Sequence, residues 1–251
     1  MPICKLCGND KELRNSHIIP EFLFEKLYNP KHQLLGIHGL GKHGSQFLQK
    51  GIREYLFCEA CEQHFNEYCE KPFKKQWVDD SPLPDPWDAT GIYWIKVDYA
   101  SFKLFHLSVL FRVGVSSLPT FQEVSLGPHE EKLRKLILTC KPGEWWRYPV
   151  FGYAVIHHNT NKLIHMVSKA ELVQPKKEEF GGRHYYGMMY GGVMWRFYVA
   201  SHRNPKIEKM ALQSDGSMPF IAVPWNEIYV IQEASHALRG QAPNPSKSAD
   251  S

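Results

Sequence analysis

Apolar positions follow two rhythms along this chain. Phe102 to Ser116 is apolar almost all round, which predicts a buried helix. Pro128 to Thr139 reads as a second helix, with Pro near its start and Lys132, Arg134 and Lys135 on its solvent side. From Val150 onward the pattern shortens to strands. Val150–His158 and Lys162–Val167 flank Asn159-Thr160-Asn161, and Tyr185–Tyr190 and Met194–Ala200 flank Gly191-Gly192, so each set predicts an antiparallel hairpin. Tyr93–Val97 reads as a strand and Tyr229–Leu238 as an element that closes the domain. Helices first and strands later predict an α+β fold.

The first 78 residues are less periodic. Pro20 to Tyr28 predicts a short helix with Pro in its first turn, and Leu35 to Gly51, with five glycines, reads as a loop. Leu56 to Lys75 opens on a cysteine pair and then carries Phe65, Tyr68 and Phe73 at roughly helical spacing. Residues 79–86 hold three prolines and three aspartates and read as a linker. The expected organisation is a Cys/His-rich module over 1–78, a larger α+β domain over 87–238 and a disordered tail over 239–251, where apolar residues are almost absent.

Composition adds little to that picture. Of 251 residues, 43% are hydrophobic and 22% charged, as in ordinary globular chains, and a net charge of +4 permits contact with nucleic acid without arguing for it. The most apolar stretch, Phe102 to Val115, is too short for a membrane span and contains His106 and Arg112, so no membrane partner is expected. The N-terminus carries a cysteine motif where a signal peptide needs an apolar run, which points to a cytoplasmic chain with reduced thiols.

In that setting paired cysteines favour metal over disulfide. Cys4-Lys5-Leu6-Cys7 and Cys58-Glu59-Ala60-Cys61 are both C-x2-C pairs, the spacing at which a tight turn presents two thiolates to one ion; together they make the four ligands of a structural zinc. A redox C-x-x-C is the competing reading. Gly8 suits the turn after the first pair. Cys69 and Cys140 are read as packed rather than ligating.

Between the pairs stands Ser16-His17-Ile18-Ile19-Pro20. The order C-x2-C, then His-Ile-Ile-Pro, then Leu-Phe-Cys-x2-Cys opening a helix resembles the zinc-bound HNH endonucleases, over about residues 4–70. The resemblance implies a ββα-metal (treble-clef-like) module in which Cys4, Cys7, Cys58 and Cys61 hold structural zinc and His17 is the general base on an attacking water. It also implies a catalytic magnesium or manganese ion and a nucleic-acid substrate. Ser16 stands where the family has Asp or His, Glu62 where it has His or Asn, and the middle Asn is missing, with Arg53 and Glu54 near its place. Glu62 and Asn66, one helical turn apart, are the remaining candidates to hold that cation. Against this, His17 also reads as a core or capping histidine, Glu62 as a solvated helix position and His64 as an exposed helical residue.

Three readings follow: a metal-dependent HNH-like endonuclease, a non-catalytic nucleic-acid- or protein-binding module on a degenerate nuclease scaffold, or a chain whose main function lies in the large domain with the zinc module as a structural appendage. The second domain could meet a protein partner or a second copy of the chain. The glycine-rich loop over 36–44 lacks a phosphate-binding signature and reads as surface. His157 and His158 are expected on opposite faces of a strand. Trp145-Trp146-Arg147-Tyr148 and Trp195-Arg196-Phe197-Tyr198 suit base stacking but read first as core.

Overall fold

A computed structural model describes residues 1–31, 33–37, 45–48, 51–168, 171–173, 185–200 and 202–228. The expectations for residues 38–44 and 229–251 lie outside them.

Strand β1 (Leu13–His17) is followed by two single 3-10 turns, Glu21–Leu23 and Glu25–Leu27, instead of one helix over Pro20–Tyr28. Leu23, which ends the first turn, and Phe24, which links it to the second, are both buried. Strands β2 (Leu34–Ile37) and β3 (Ser45–Leu48) then pair antiparallel inside the stretch read as loop. Strand β4 (Arg53–Cys58) returns antiparallel to β1, with a register shift at Arg14/Asn15. Beyond it Asn15 faces Tyr55, Ser16 faces Glu54 and His17 faces Arg53.

Helix α1 (Glu59–Phe65) starts where β4 ends and continues through wider π-type turns at Asn66–Glu70 and Lys74–Asp79, on either side of α2 (Lys71–Phe73). Pro72 has no N–H to give to the carbonyl four residues back. The buried residues Cys61, Phe65, Cys69, Phe73 and Trp77 repeat every four positions. On a regular α-helix that repeat drifts by about 40° per step, and the wider turns reduce the drift so that the stripe stays on the core.

After β5 (Tyr93–Lys96), helix α3 (Tyr99–Val115) begins at Asp98, whose side chain accepts from the Ser101 N–H. Phe102 through Val113 are all buried, as an all-round apolar helix requires. Helix α4 (His129–Leu138) presents Leu133 and Ile137 to the core.

The main sheet comprises β6 (Val150–Ile156), β7 (Glu171–Val173), β8 (Tyr185–Tyr190) and β9 (Val193–Phe197); the short helix α5 (Pro205–Glu208) follows. Then come β10 (Ser217–Phe220), paired antiparallel with β5, and β11 (Ala222–Pro224), parallel to β6. The sheet order is β11-β6-β9-β8-β7. Gly191 (φ +59°) and Gly192 (φ +82°) turn β8 into β9 with the two positive φ angles of a tight hairpin. The hairpin expected around 159–161 is reduced to a turn, with one bridge between Ile156 and Leu163.

The architecture is mixed α+β, with one main hydrophobic core that runs from Cys4 to Phe220 and a small second cluster of Val155, Met189, Met194 and Ile228. Phe73 stacks on Phe105 of α3 with ring centroids 3.7 Å apart, and Trp77 meets Trp195 of β9 at 5.3 Å. Leu83, inside the proline-rich stretch 79–86, is buried in the same core.

Candidate metal centre and the histidine side of the hairpin

Cys4 and Cys7 sit on a turn closed by the Gly8 N–H donating to the Cys4 carbonyl at 2.8 Å, with Gly8 at φ +74°. A left-handed φ is open to glycine at no steric cost. The turn docks on β4 through the Lys5 N–H to the Leu56 carbonyl at 3.0 Å. Cys58 ends β4 and Cys61 lies in the first turn of α1. The four Sγ atoms lie within 4.8 Å of one another, and Cys7 Sγ is 3.9 Å from Cys58 Sγ. A tetrahedron with metal–sulfur bonds of about 2.3 Å has edges of about 3.8 Å.

The electrostatics agree with that geometry. Burial works to raise the Cys4 pKa, but N–H donors from Cys7, Cys58 and Leu6 outweigh it and bring the thiol down to about 7. Burial and the neighbouring thiols push Cys61 up, and burial pushes Cys7 up. Four crowded thiols cannot all ionise unless a cation offsets their charge. Cys69 is fully buried outside this group, and Cys140 Sγ lies 3.8 Å from His64 Nε2, which itself meets the Ile137 carbonyl at 2.9 Å. His64 is therefore half-buried and bonded to backbone rather than an exposed helical residue.

His17 pairs with Arg53 across the hairpin, so both side chains lie on one face, and strand alternation adds Asn15 and Tyr55 to it. His17 Nε2 contacts the Glu21 carboxylate, whose other oxygen accepts from the Tyr28 hydroxyl. Arg53 Nη2 stands 3.7 Å from Glu21 Oε2, and Arg53 Nε is buried with no hydrogen-bond partner. Burial lowers the His17 pKa and Arg53 adds to the effect, while Glu21 opposes it. The net shift favours the neutral ring, the form that accepts a proton.

Ser16 and Glu62 lie behind this face. Ser16 is buried and donates to the Arg14 carbonyl at 3.2 Å. Burial raises the Glu62 pKa, with the Ser16 hydroxyl and the Arg112 guanidinium acting the other way, and Glu62 Oε1 is buried with no partner. Arg112, 1% exposed, reaches in from α3: Nη2 donates to Glu70 Oε1 at 2.5 Å, Nη1 to the His17 carbonyl at 3.3 Å, and the guanidinium lies 4.2 Å from the Phe65 ring centroid.

These residues do not make a donor set for a catalytic magnesium or manganese ion. Asn66 is exposed, bordering a shallow depression with Gln63, Glu67 and Lys71, rather than joining Glu62. Ser16 offers a neutral hydroxyl, His17 faces Glu21, and the Arg112 charge already stands by Glu62 and Glu70. Among the described residues, the four cysteines are the one group of three or more His, Cys, Asp or Glu side chains that converge.

The aromatic runs are core: Trp145, Tyr148, Trp195, Phe197 and Tyr198 are all buried. His157 and His158 stack on each other at 4.8 Å, because β6 ends at Ile156 and strand alternation no longer applies to them. Tyr55, which the sequence did not mark, is 66% exposed beside Arg53. Its signal was the alternation of β4, readable only once the register is known. No family model matches the chain, and the comparisons with curated proteins and with solved structures likewise return no match.

Proposed function

We propose that the chain is a zinc-stabilised, HNH-like nuclease module that cleaves nucleic-acid phosphodiesters, with His17 as general base. The observation that carries this reading is the place of His17. It ends the first strand of a hairpin that leads directly into a helix, is paired with a cation across the strands, and has its ring held by a carboxylate. A base needs that combination: a neutral imidazole, a fixed orientation and a nearby positive charge for the phosphate.

Zinc is the ion that suits four thiolates in a tetrahedron, and Cys4, Cys7, Cys58 and Cys61 would hold it. Its contribution is structural. It ties the N-terminal turn to the junction of β4 and α1 and so sets the register that brings His17 opposite Arg53. No step is assigned to a second metal ion.

The buried Arg112 favours a second reading, a nucleic-acid- or protein-binding module without catalysis. A guanidinium fixed beside Glu62 and Glu70 neutralises carboxylates that a nuclease would otherwise offer to a cation.

The deciding experiment incubates the purified chain with plasmid, single-stranded DNA and RNA, with and without magnesium or manganese, beside His17→Ala. Cleavage by the wild type, reduced at least about 100-fold in the variant, is expected for a general base. Equal inertness on every substrate, with zinc bound, leaves the binding module.

A further inference from the structure

We infer that the solvent side of the β1–β4 hairpin is an RNA-cleaving site that needs no divalent metal, with Tyr55 stacking a base, Arg53 receiving the phosphate and His17, held by Glu21, taking the proton of the 2′-hydroxyl. The inference rests on the nuclease reading above and names its substrate class.

Three observations converge on it. The first is the shared face. Arg53 and Tyr55 are two positions apart on β4, so their side chains lie about 7 Å apart on one side of the strand, within the span of one nucleotide. His17 faces Arg53 across the ladder. The second is a donor without an acceptor. Arg53 Nε is buried out of reach of solvent and unpartnered, but the side chain is 29% exposed and Nη2 stands 3.7 Å from Glu21 Oε2, so the accessible part of the guanidinium keeps capacity for an anionic oxygen. The third is Tyr55, a large aromatic left 66% exposed on a polar face whose other members are Asn15, His17 and Arg53. An exposed ring beside a guanidinium is the pairing that binds single-stranded nucleic acid through base and backbone together.

The choice of RNA follows from the donor set. Hydrolysis of DNA needs an external water made nucleophilic, commonly at a metal ion. Around His17 two carboxylates are committed, Glu21 to His17 and Tyr28 and Glu70 to Arg112, and Glu62, with Oε1 unpartnered, lies buried behind the face beside the Arg112 charge. RNA carries its own nucleophile in the 2′-hydroxyl. With Nε2 turned to Glu21, Nδ1 is the ring nitrogen left to accept a proton. As the 2′-oxygen forms its bond to phosphorus, the bond to the 5′-oxygen breaks and the 2′ proton passes to His17. The leaving 5′-oxygen takes a proton from water, and His17 returns its proton to the hydroxide formed. No water is consumed, and the products are a 2′,3′-cyclic phosphate and a 5′-hydroxyl. Arg53 offsets the charge that grows on the non-bridging oxygens.

The test uses the full chain, loaded with zinc, and one sequence made as single-stranded RNA and as DNA, incubated in EDTA or in magnesium or manganese. Zinc content is measured again after the EDTA arm. The expected result is RNA cleavage in EDTA with cyclic phosphate ends, intact DNA, and a rate lower by about 100-fold or more in His17→Ala. Tyr55→Ala, at an exposed position, is expected to raise KM about tenfold while kcat is retained. Cleavage that requires magnesium or manganese, or that cuts DNA, overturns this inference and leaves the nuclease reading standing. No cleavage of any substrate overturns both. Cleavage unchanged in His17→Ala removes His17 from the reaction and overturns the inference as well.

Discussion

Arg112 Nη2 lies 2.5 Å from Glu70 Oε1, joining the last turn of α3 to the helix that leaves the cysteine site. The guanidinium also spans to the His17 carbonyl at 3.3 Å. Removing one member of a buried pair leaves the other charge uncompensated. Arg112→Met is expected to lower stability by about 3 kcal/mol, the low end for buried pairs because Glu70 keeps some exposure. Arg112→Lys is expected to recover only part of it, since an ammonium lacks the planar fork. Urea unfolding measures both. A loss below about 0.5 kcal/mol for Arg112→Met, the scale of an ordinary surface change, contradicts the role given to this pair.

The shared core sets how the chain unfolds. Phe73, fully buried, touches Phe22, Phe102, Phe105 and Trp77. Phe73→Ala is expected to cost about 3–5 kcal/mol. The unfolding transitions followed by circular dichroism and by tryptophan fluorescence are expected to coincide and to shift together. Separate transitions for residues 1–78 and the remainder contradict a continuous core.

Gly191 meets Trp77 closely. A Cβ at this glycine falls 2.6 Å from Trp77 Nε1, and its φ is +59°. Gly91, at φ +83°, has nothing within 4 Å of an added Cβ. Gly91→Ala is expected to cost about 1 kcal/mol from the backbone alone. Gly191→Ala adds the overpacking term, for about 2–4 kcal/mol in all. Equal losses in thermal unfolding contradict the contact with Trp77.

Lys103 gives the stability a pH dependence. Burial holds its pKa down to about 7, with Arg147 acting in the same direction and Glu144 against it. The unfolded chain then binds more protons than the folded one between about pH 7 and the ordinary lysine range near 10.5. This group therefore makes stability rise with pH across that window, and its penalty is fully present below it. Lys103→Met is expected to be more stable than wild type by about 1–2 kcal/mol at pH 7, with the gap closing by pH 10. A gap that is constant or widens with pH contradicts the shift.

Local chemistry made some of this legible. Helix α3 was readable because it is apolar on every side, and β8–β9 because two consecutive glycines mark a turn with two positive φ angles. The four cysteines were readable from spacing. The face that carries His17 was not, because it depends on the register shift at Arg14/Asn15. Moving a strand by one residue exchanges its two faces. Arg112 read as a residue spoiling an apolar run, since its partners Glu70 and the His17 carbonyl come from a remote part of the chain. Asn66 was placed with Glu62 by helical periodicity, which fixes spacing along a helix but not which side meets solvent.

The proposed site on the hairpin depends on the four cysteines holding the N-terminal turn against β4. The most direct measurement is elemental analysis with zinc-edge X-ray absorption on the purified chain. One zinc per chain, with four sulfur neighbours at about 2.3 Å, is the expected result, and Cys4→Ser is expected to lose most of the metal. A chain that is folded and free of zinc, or zinc bound with fewer than three sulfur neighbours, contradicts the account at its foundation.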